Sequence, residues 1–263
     1  ICNFRCVFCF ETDKTFTDKK NGHMGTMSLD LFKKVIDSAH KKVEFISIAS
    51  RGEPLVCKDI DKMLEYTENK FLNLKINTNA SLLNEKKIHS VLSGGVKTIV
   101  FSVDAADPKL YEKLRVNGKF EKTLSNIEMF NRIKNKHYKN SKIITRVSGV
   151  KFNNEQNFVK FENFWKGIVD QVAFVDYNPW ENSYNKEPNN IDKPCSDLWR
   201  RMFVWWNGLV NPCDVDYKSV LSVGKFEKSL SNLWLSKDYQ NLRDSHNNNN
   251  RSSINPCKAC NVI

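Results

Sequence analysis

Cysteine is the residue type in this sequence whose spacing points most directly to chemistry. The early group lies within the first nine residues and consists of Cys2, Cys6 and Cys9. The late group consists of Cys195, Cys213, Cys257 and Cys260. Thiolates are soft ligands that suit zinc ions and iron–sulfur clusters. Because nothing in the sequence indicates secretion, such groups favour metal binding over disulfide bonds. Cys57 has no near partner, and we assign it no role.

The early group has the spacing CxxxCxxC. A loop of this kind can wrap three thiolates around one cubane cluster and leave the fourth iron without a protein ligand. An open iron can chelate a small molecule through amine and carboxylate groups, whereas a fully ligated cluster can only pass electrons. The spacing alone also permits a zinc knuckle with a distant fourth ligand, or a ferredoxin-like site with a remote fourth cysteine.

The late group combines a widely spaced pair with a CxxC pair. Seventeen residues separate Cys195 from Cys213, and four residues separate Gly208 from Cys213. A hairpin turning at Asn207-Gly208 would bring Cys195 and Cys213 together, and the terminal CxxC loop could add two more thiolates. On spacing alone, a structural zinc ribbon is equally consistent with these four cysteines.

Alternating strands and helices must position these groups. Short apolar runs predict buried strands at residues 43–49, 72–76, 98–103, 143–147 and 172–175. Helical spacing of apolar residues is found at 29–39, 60–64 and 124–133, the first after a Ser28 cap. This alternation predicts an α/β fold with parallel strands. Counting a strand lost before Cys2, we expect a partial (βα)6 barrel.

A change in composition after Trp180 divides the chain. Residues 181–194 are polar and rich in Asn and Pro, which is typical of a linker. We therefore predict a core at 1–180, whose first strand is missing, a linker at 181–194 and a small hairpin-plus-helix module at 195–263. The hairpin is predicted at residues 202–212, with Asn207 and Gly208 supplying the two positive-φ residues of a tight turn.

Composition excludes several classes of protein. The chain has 263 residues, of which 40% are hydrophobic, so it can bury a core. No apolar run approaches the length of a membrane span and no signal precedes the first cysteine, so we expect a cytoplasmic protein without membrane contact. The net charge of +11 would attract acidic partners. Nucleic acid is disfavoured, because no compact patch of Arg, Lys and aromatic residues is visible.

Taken in order, the early motifs resemble the radical S-adenosylmethionine (SAM) superfamily. The signature reads CNFRCVFC, with the aromatic Phe8 directly before Cys9. The strand at 43–49 leads into SRGEP, which looks like the family's Gly-Gly-Glu-Pro motif for the SAM amino group, with Arg51 in place of the first glycine. The resemblance assigns SAM contacts to Gly52, Glu53 and Pro54. Taken alone, Gly-Glu-Pro is more typical of an ordinary strand-to-helix turn.

The resemblance extends to later strand ends. Ser102 and Asp104 match the family's Ser-x-Asp position near the SAM ribose and carboxylate, and Arg115 sits where related enzymes place an arginine against that carboxylate. A solvated arginine at a helix end is the alternative for Arg115. Ligands of parallel α/β sheets gather at the carboxyl ends of strands, where these groups fall.

The family resemblance also implies a reaction. A reduced [4Fe–4S] cluster would donate one electron to SAM, producing methionine and a 5′-deoxyadenosyl radical that abstracts hydrogen from the substrate. The resemblance further implies a flavodoxin- or ferredoxin-type electron donor.

The late cysteines resemble a SPASM/twitch module, in which CX9-15GX4C is followed by CxxC. Four cysteines fit one fully ligated auxiliary [4Fe–4S] cluster, as in the twitch dehydrogenases. The resemblance implies an oxidoreductase that acts on a small alcohol or sugar-like substrate and passes an electron to this cluster. The alternative is a peptide-modifying SPASM enzyme, such as a maturase, thioether-forming enzyme or epimerase. A non-catalytic metal-binding module is a further alternative.

One carboxylate next to the late group is a candidate general base. Asp214 directly follows Cys213, and this position resembles that of the catalytic aspartate in anaerobic sulfatase maturases. Removing a proton from the substrate radical makes it a better reductant, which helps the second electron leave. Asp is also a common turn former after a hairpin, and Asp216 is equally well placed by sequence.

Overall fold

The computed structural model describes residues 1–48, 51–180 and 183–263. Within them the strands are β1 (Arg5–Cys6), β2 (Phe45–Ile48), β3 (Asn73–Thr78), β4 (Val96–Ser102), β5 (Arg115–Val116), β6 (Ile144–Lys151), β7 (Gln171–Asp176), β8 (Phe203–Val204) and β9 (Val210–Asn211).

The α-helices in the same residues alternate with the longer strands and continue into the late module. They are α1 (Lys14–Thr17), α2 (Leu29–Ala39), α3 (Ile60–Thr67), α4 (Glu85–Ser93), α5 (Pro108–Leu114), α6 (Phe120–His137), α7 (Phe158–Trp165), α8 (Asp197–Arg200), α9 (Leu230–Trp234) and α10 (Lys237–Asn247). None of them combines the length and apolar character that crossing a bilayer requires.

The chain divides into two compact units, of which the first comprises Ile1–Cys9 and His40–Asn178. Its sheet has the order β2-β3-β4-β6-β7, and every neighbouring pair is parallel. Side chains of the central strands, such as Ile99, Phe101 and Val147, are fully buried in the hydrophobic core of this unit. The predicted α/β fold with a parallel sheet is therefore confirmed. Residue 49, at the end of the first predicted strand, lies outside the described residues.

The second unit comprises Phe10–Ala39 and Pro179–Ile263. Its core includes Val210, Phe226 and Tyr239, and the apolar face of α2 packs there through Leu31 and Val35. The boundary predicted at residue 180 places α2 in the core domain, whereas this packing groups α2 with the late module. The boundaries proposed at residues 180 and 194 stay predictions, and residues 181 and 182 of the proposed linker lie outside the described part.

The predicted hairpin is present, but its turn differs from the prediction. Strands β8 and β9 pair antiparallel, with Val204 opposite Val210. The amide of Gly208 donates to the carbonyl of Trp205 at 2.9 Å, and Gly208 has a φ of +85°, whereas Asn207 is outside the positive-φ region. The predicted two-residue turn with two positive φ values is thus wrong. Asn207 instead accepts the Leu209 amide with its side chain at 3.0 Å, which stabilises a longer turn.

Candidate active site and metal centres

The early cysteines lie on a loop that backbone hydrogen bonds hold in place. Strand β1 pairs antiparallel with β5, which sets Cys6 opposite Arg115. The Val7 amide also donates to the carbonyl of Leu114 at 3.0 Å. The cysteine side chains belong to one apolar group that includes the buried side chains of Phe4, Phe8 and Leu114. Three thiols on one short, anchored loop fit a cluster with three protein ligands.

Polar groups surround the thiol of Cys2. The Phe4 amide approaches its sulfur at 3.4 Å, and the Asn79 side-chain amide approaches it at 4.0 Å. The Asn79 amide group also donates to Asn3 Oδ1 at 2.9 Å, and Asn3 donates to Ser81 at 2.9 Å. N–H groups directed at sulfur favour the thiolate, which is the form that binds iron. Asn79 was not identified from the sequence, although it directly follows a strand, where polar side chains can reach a site.

Glu53 connects the ends of two neighbouring strands. Its Oε1 accepts from the Leu55 amide at 3.0 Å and from the Thr78 hydroxyl at 2.6 Å, while its Oε2 accepts from the Asn79 amide at 2.7 Å. Burial raises the pKa of Glu53, and these donors oppose that effect. The predicted contact of Glu53 with the SAM amino group stays a prediction. The structure adds a cross-strand role, because the carboxylate ties the loop after β2 to the end of β3.

The Gly-Glu-Pro segment also forms a tight turn. Gly52 has a φ of +86°, and a Cβ at this position would lie 2.4 Å from the carbonyl oxygen of Ile1. That same oxygen accepts the Glu53 amide at 3.0 Å. Pro54 begins a short 3-10 helix, Pro54–Val56, which Glu53 caps. Glycine is therefore required where the loop meets Ile1. Ser50 of the SRGEP motif lies outside the described residues.

Asp104 and Arg115 form a buried ion pair. Arg115 Nε lies 2.5 Å from Asp104 Oδ2, and Asp104 Oδ1 accepts the Val150 amide at 2.7 Å. Burial opposes the charge on Arg115, but Asp104 and Cys6 outweigh burial and raise the pKa of Arg115. Only 6% of Arg115 is exposed, so the solvated-arginine alternative is wrong.

Arg115 also reaches the cysteine loop. Its Nη1 lies 3.8 Å from Cys6 Sγ, and its guanidinium lies 5.7 Å from the centre of the Phe8 ring. Ser102 ends β4, two residues before Asp104, at the same sheet edge as Thr78 of β3. The predicted residues of this region thus meet at the carboxyl edge of the sheet, with Arg115 beside a cysteine of the signature.

The four late thiols influence one another. Burial raises the pKa of Cys195, of Cys213 and of Cys257, the last to about 12. Cys260 raises the pKa of Cys195 and of Cys257 further, and Cys257 does the same for Cys213. These four cysteines all lie in the second unit, and their assignment to one ligand set stays a prediction. Four thiolates form the ligand set of a fully ligated [4Fe–4S] cluster.

The two candidate carboxylates after Cys213 have different surroundings. Asp216 is fully buried, and its carboxylate accepts four hydrogen bonds at 2.7–3.1 Å, from the Tyr184 hydroxyl, the Asn211 side chain and the amides of Val220 and Leu221. Asp214 is half-buried. The structure thus gives Asp216 a structural role, whereas the prediction of Asp214 as a base stays open. Among the described residues, no three His, Cys, Asp or Glu side chains are arranged to hold a single metal ion.

Comparison with known families decides the assignment of the first unit. The model of the radical SAM superfamily matches residues 1–164. The chain belongs to this superfamily. An iron–sulfur cluster-binding domain of the SPASM type matches residues 195–261, which favours iron over the zinc-ribbon alternative. The protein is therefore an enzyme of the radical SAM type, and the two domains imply [4Fe–4S] clusters and SAM as its cofactors, as predicted.

Similar proteins include several radical SAM enzymes. The GTP 3′,8-cyclase of Clostridium botulinum (strain Okra / Type B1) is 27% identical over 245 residues, which cover 88% of this chain and 69% of the relative. The AdoMet-dependent heme synthase of Methanosarcina barkeri is 29% identical over 129 residues, covering 49% of this chain and 36% of the relative.

Two solved structures share the fold. BtrN in complex with AdoMet and 2-DOIA matches with a TM-score of 0.63 and 18% identity, covering 100% of this chain and 89% of BtrN. Streptococcus suis SuiB bound to the precursor peptide SuiA matches with a TM-score of 0.70 and 18% identity, covering 92% of this chain and 64% of SuiB. At this identity the two structures support the fold alone.

Proposed function

We propose that this radical SAM enzyme is an oxidoreductase that abstracts a hydrogen atom from its substrate and passes one electron to an auxiliary [4Fe–4S] cluster. The observation that carries the proposal is the match of residues 195–261 to an iron–sulfur cluster-binding domain, because all four late cysteines fall within that range. A cluster with four protein ligands has no open iron for a substrate, so electron transfer is the role that this ligand set favours.

In this proposal, the early loop binds the cluster through Cys2, Cys6 and Cys9. The cluster and SAM together supply the one-electron cleavage chemistry of the family. Phe8 shields the loop from water, because its side chain is buried beside the cysteines. Arg115 places a positive charge next to Cys6, and Asp104 holds Arg115 in that position. Gly52, Glu53, Pro54 and Ser102 remain the proposed SAM contacts.

Asp214 is the proposed base of the second half of the reaction. It would accept the proton from the substrate carbon's hydroxyl group as the electron leaves. Its position directly after Cys213 supports this role, and the four hydrogen bonds that occupy Asp216 remove the competing carboxylate.

The proposed substrate is a small alcohol or sugar-like molecule. The BtrN fold, which spans all of this chain, supports this class, and BtrN was captured with 2-DOIA. A peptide substrate is the rival, supported by the fold of SuiB with its precursor peptide. A nucleotide is a second candidate, because 88% of the chain aligns with a GTP 3′,8-cyclase. A flavodoxin- or ferredoxin-type protein is the proposed electron donor.

Anaerobic turnover assays test these substrate classes. The protein, SAM and dithionite are incubated with an aminocyclitol alcohol, with GTP or with a short peptide, and 5′-deoxyadenosine and product mass are measured. We expect the alcohol alone to raise 5′-deoxyadenosine above the substrate-free rate and to yield a product lighter by two hydrogens. A response to GTP or the peptide alone would refute the alcohol proposal.

The metal content tests the two-cluster assignment. We expect about eight iron atoms per chain after anaerobic reconstitution, because each cubane holds four. Replacing all four late cysteines with Ala should leave about four iron atoms and retain SAM cleavage without substrate oxidation. Zinc in the late site of the wild-type protein would contradict the proposed electron transfer.

A further inference from the structure

Arg251 is a buried cation in the late module to which the sequence analysis gave no role. Only 1% of the residue is exposed. Its three donor nitrogens each reach a backbone carbonyl: Nε that of Cys257 at 3.2 Å, Nη1 that of Lys193 at 3.1 Å and Nη2 that of Cys260 at 2.5 Å. One guanidinium therefore binds both residues of the CxxC pair and the segment that precedes Cys195.

Further hydrogen bonds join the same two segments. The Asn189 amide donates to the carbonyl of Lys258 at 2.9 Å, and its side chain donates to that of Cys260 at 3.0 Å. The Cys195 amide donates to Nδ1 of His246 at 3.2 Å. Within this network, Arg251 contacts both segments with a charged group. Hydrogen bonds from a charged donor are stronger than hydrogen bonds between neutral groups.

The charge of Arg251 lies beside two of the proposed ligand residues, because Nε and Nη2 bind the carbonyls of Cys257 and Cys260. Arg243 is a useful contrast: it is 6% exposed and its donors bind the carbonyls of Leu198 and Trp234, neither of which is a cysteine.

We propose that Arg251 is a positioning residue that assembles the ligands of the auxiliary cluster and raises its reduction potential. This inference rests on the proposed function, because it takes the four late cysteines as the ligands. A four-thiolate cubane carries net negative charge, which increases on reduction. A buried cation nearby stabilises the reduced form more than the oxidised form. Arg251 would thus make the auxiliary cluster a better electron acceptor, while its fork of donors sets the positions of Cys257, Cys260 and the segment that precedes Cys195.

Two substitutions separate the geometric and electrostatic parts of this proposal. Arg251→Met removes both the charge and the donors, whereas Arg251→Lys keeps the charge but cannot reach three carbonyls at once. Arg243→Met is the matched control, because it deletes an equally buried guanidinium from the same unit. Iron per chain is measured after reconstitution. The midpoint potential of the auxiliary cluster is measured by an EPR-monitored redox titration. The proteins used for this titration also carry Ala at the three early cysteines.

We expect Arg251→Met to load the auxiliary site at least about twofold less completely than wild type, and its loaded fraction to titrate at a lower potential. Arg251→Lys should restore the potential but not full loading. Arg243→Met should change neither. A wild-type potential in Arg251→Met, or an equal loss of iron in Arg243→Met, would overturn the proposal. If the wild-type late site instead binds zinc, the proposed function fails. The metal content of the wild-type protein shows this before any Arg251 variant is compared.

Discussion

The exchange of Asp216 for Asn tests how the late module is built. Asn is nearly the same size as Asp but replaces one acceptor oxygen with an NH2 donor. Oδ1 of Asp216 accepts from the Tyr184 hydroxyl and the Val220 amide, and Oδ2 accepts from the Asn211 side chain and the Leu221 amide. Whichever way the new amide turns, its NH2 group faces a backbone amide, that of Val220 or that of Leu221, whose hydrogen bond it cannot accept, whereas the Tyr184 hydroxyl and the Asn211 side chain can turn.

The cost follows from these contacts. A hydrogen bond to a charged group contributes about 1.5–3 kcal/mol, so one lost bond costs roughly 1.5–3 kcal/mol in the free energy of unfolding. This is a substantial part of the roughly 5–15 kcal/mol that stabilises a typical domain. With a shift of about 2–4 °C per kcal/mol for a protein of similar size, we expect the unfolding temperature to fall by roughly 5 °C.

Asp214→Asn is the control, because Asp214 lies two residues away and is half-buried. Thermal unfolding is followed by circular dichroism under anaerobic conditions, and iron is counted in parallel. Asp216→Asn should unfold earlier and lose auxiliary-site iron. Asp214→Asn should keep its iron and its substrate-triggered 5′-deoxyadenosine formation but yield little oxidised product. A wild-type unfolding temperature in Asp216→Asn would refute the structural role given to its carboxylate, and wild-type product formation in Asp214→Asn would remove the proposed base.

Three changes in the first unit complete the predictions. Arg115→Met leaves the Asp104 carboxylate buried without its ion-pair partner, and we expect a loss of about 3–5 kcal/mol in the free energy of unfolding, seen by chemical denaturation against the charge-retaining Arg115→Lys. Equal stability of the two variants would mean that the pair contributes little. Glu53→Gln should weaken SAM binding about tenfold with unchanged iron, as measured by equilibrium dialysis, because it removes a charge-assisted acceptor. Unaltered binding would exclude Glu53 from the SAM site. Gly52→Ala should reduce loading of the early site, because its Cβ would lie 2.4 Å from the Ile1 oxygen; full loading would show that the loop can shift.

The repeating elements of the first unit follow from local pattern. Runs of apolar residues predicted the strands that appear as β2, β3, β4, β6 and β7, with ends that differ by a few residues. Such strands are recognisable because each is a short run rich in apolar and β-branched residues, of which those in β3 and β6 alternate between buried and partly exposed positions. The CNFRCVFC signature was equally readable, because three ligands on one loop are set by spacing along the chain rather than by the fold.

Local pattern failed at one turn and at one helix face. The spacing of Asn207 and Gly208 predicted a two-residue turn, but the Asn207 side chain accepts the Leu209 amide and the turn is longer. Helix α2 has the spacing of a barrel helix, yet its apolar face packs into the late module. Amphipathic spacing shows that a helix buries one face, but it carries no information about which core covers that face.

The sequence by itself determined the superfamily, the parallel α/β architecture and the cysteines available for two clusters, because these depend on residue types and on short spacings. The tertiary structure alone decided which charges stand beside those cysteines. Arg115 meets Cys6 across 109 positions of the chain, and Arg251 joins the carbonyls of Lys193 and Cys260. Arg115 was indicated only by the family resemblance, and no local signal marks Arg251, since an arginine followed by two serines looks solvated in a sequence. Their burial becomes possible only when the fold supplies Asp104 or a set of carbonyls to offset the loss of water.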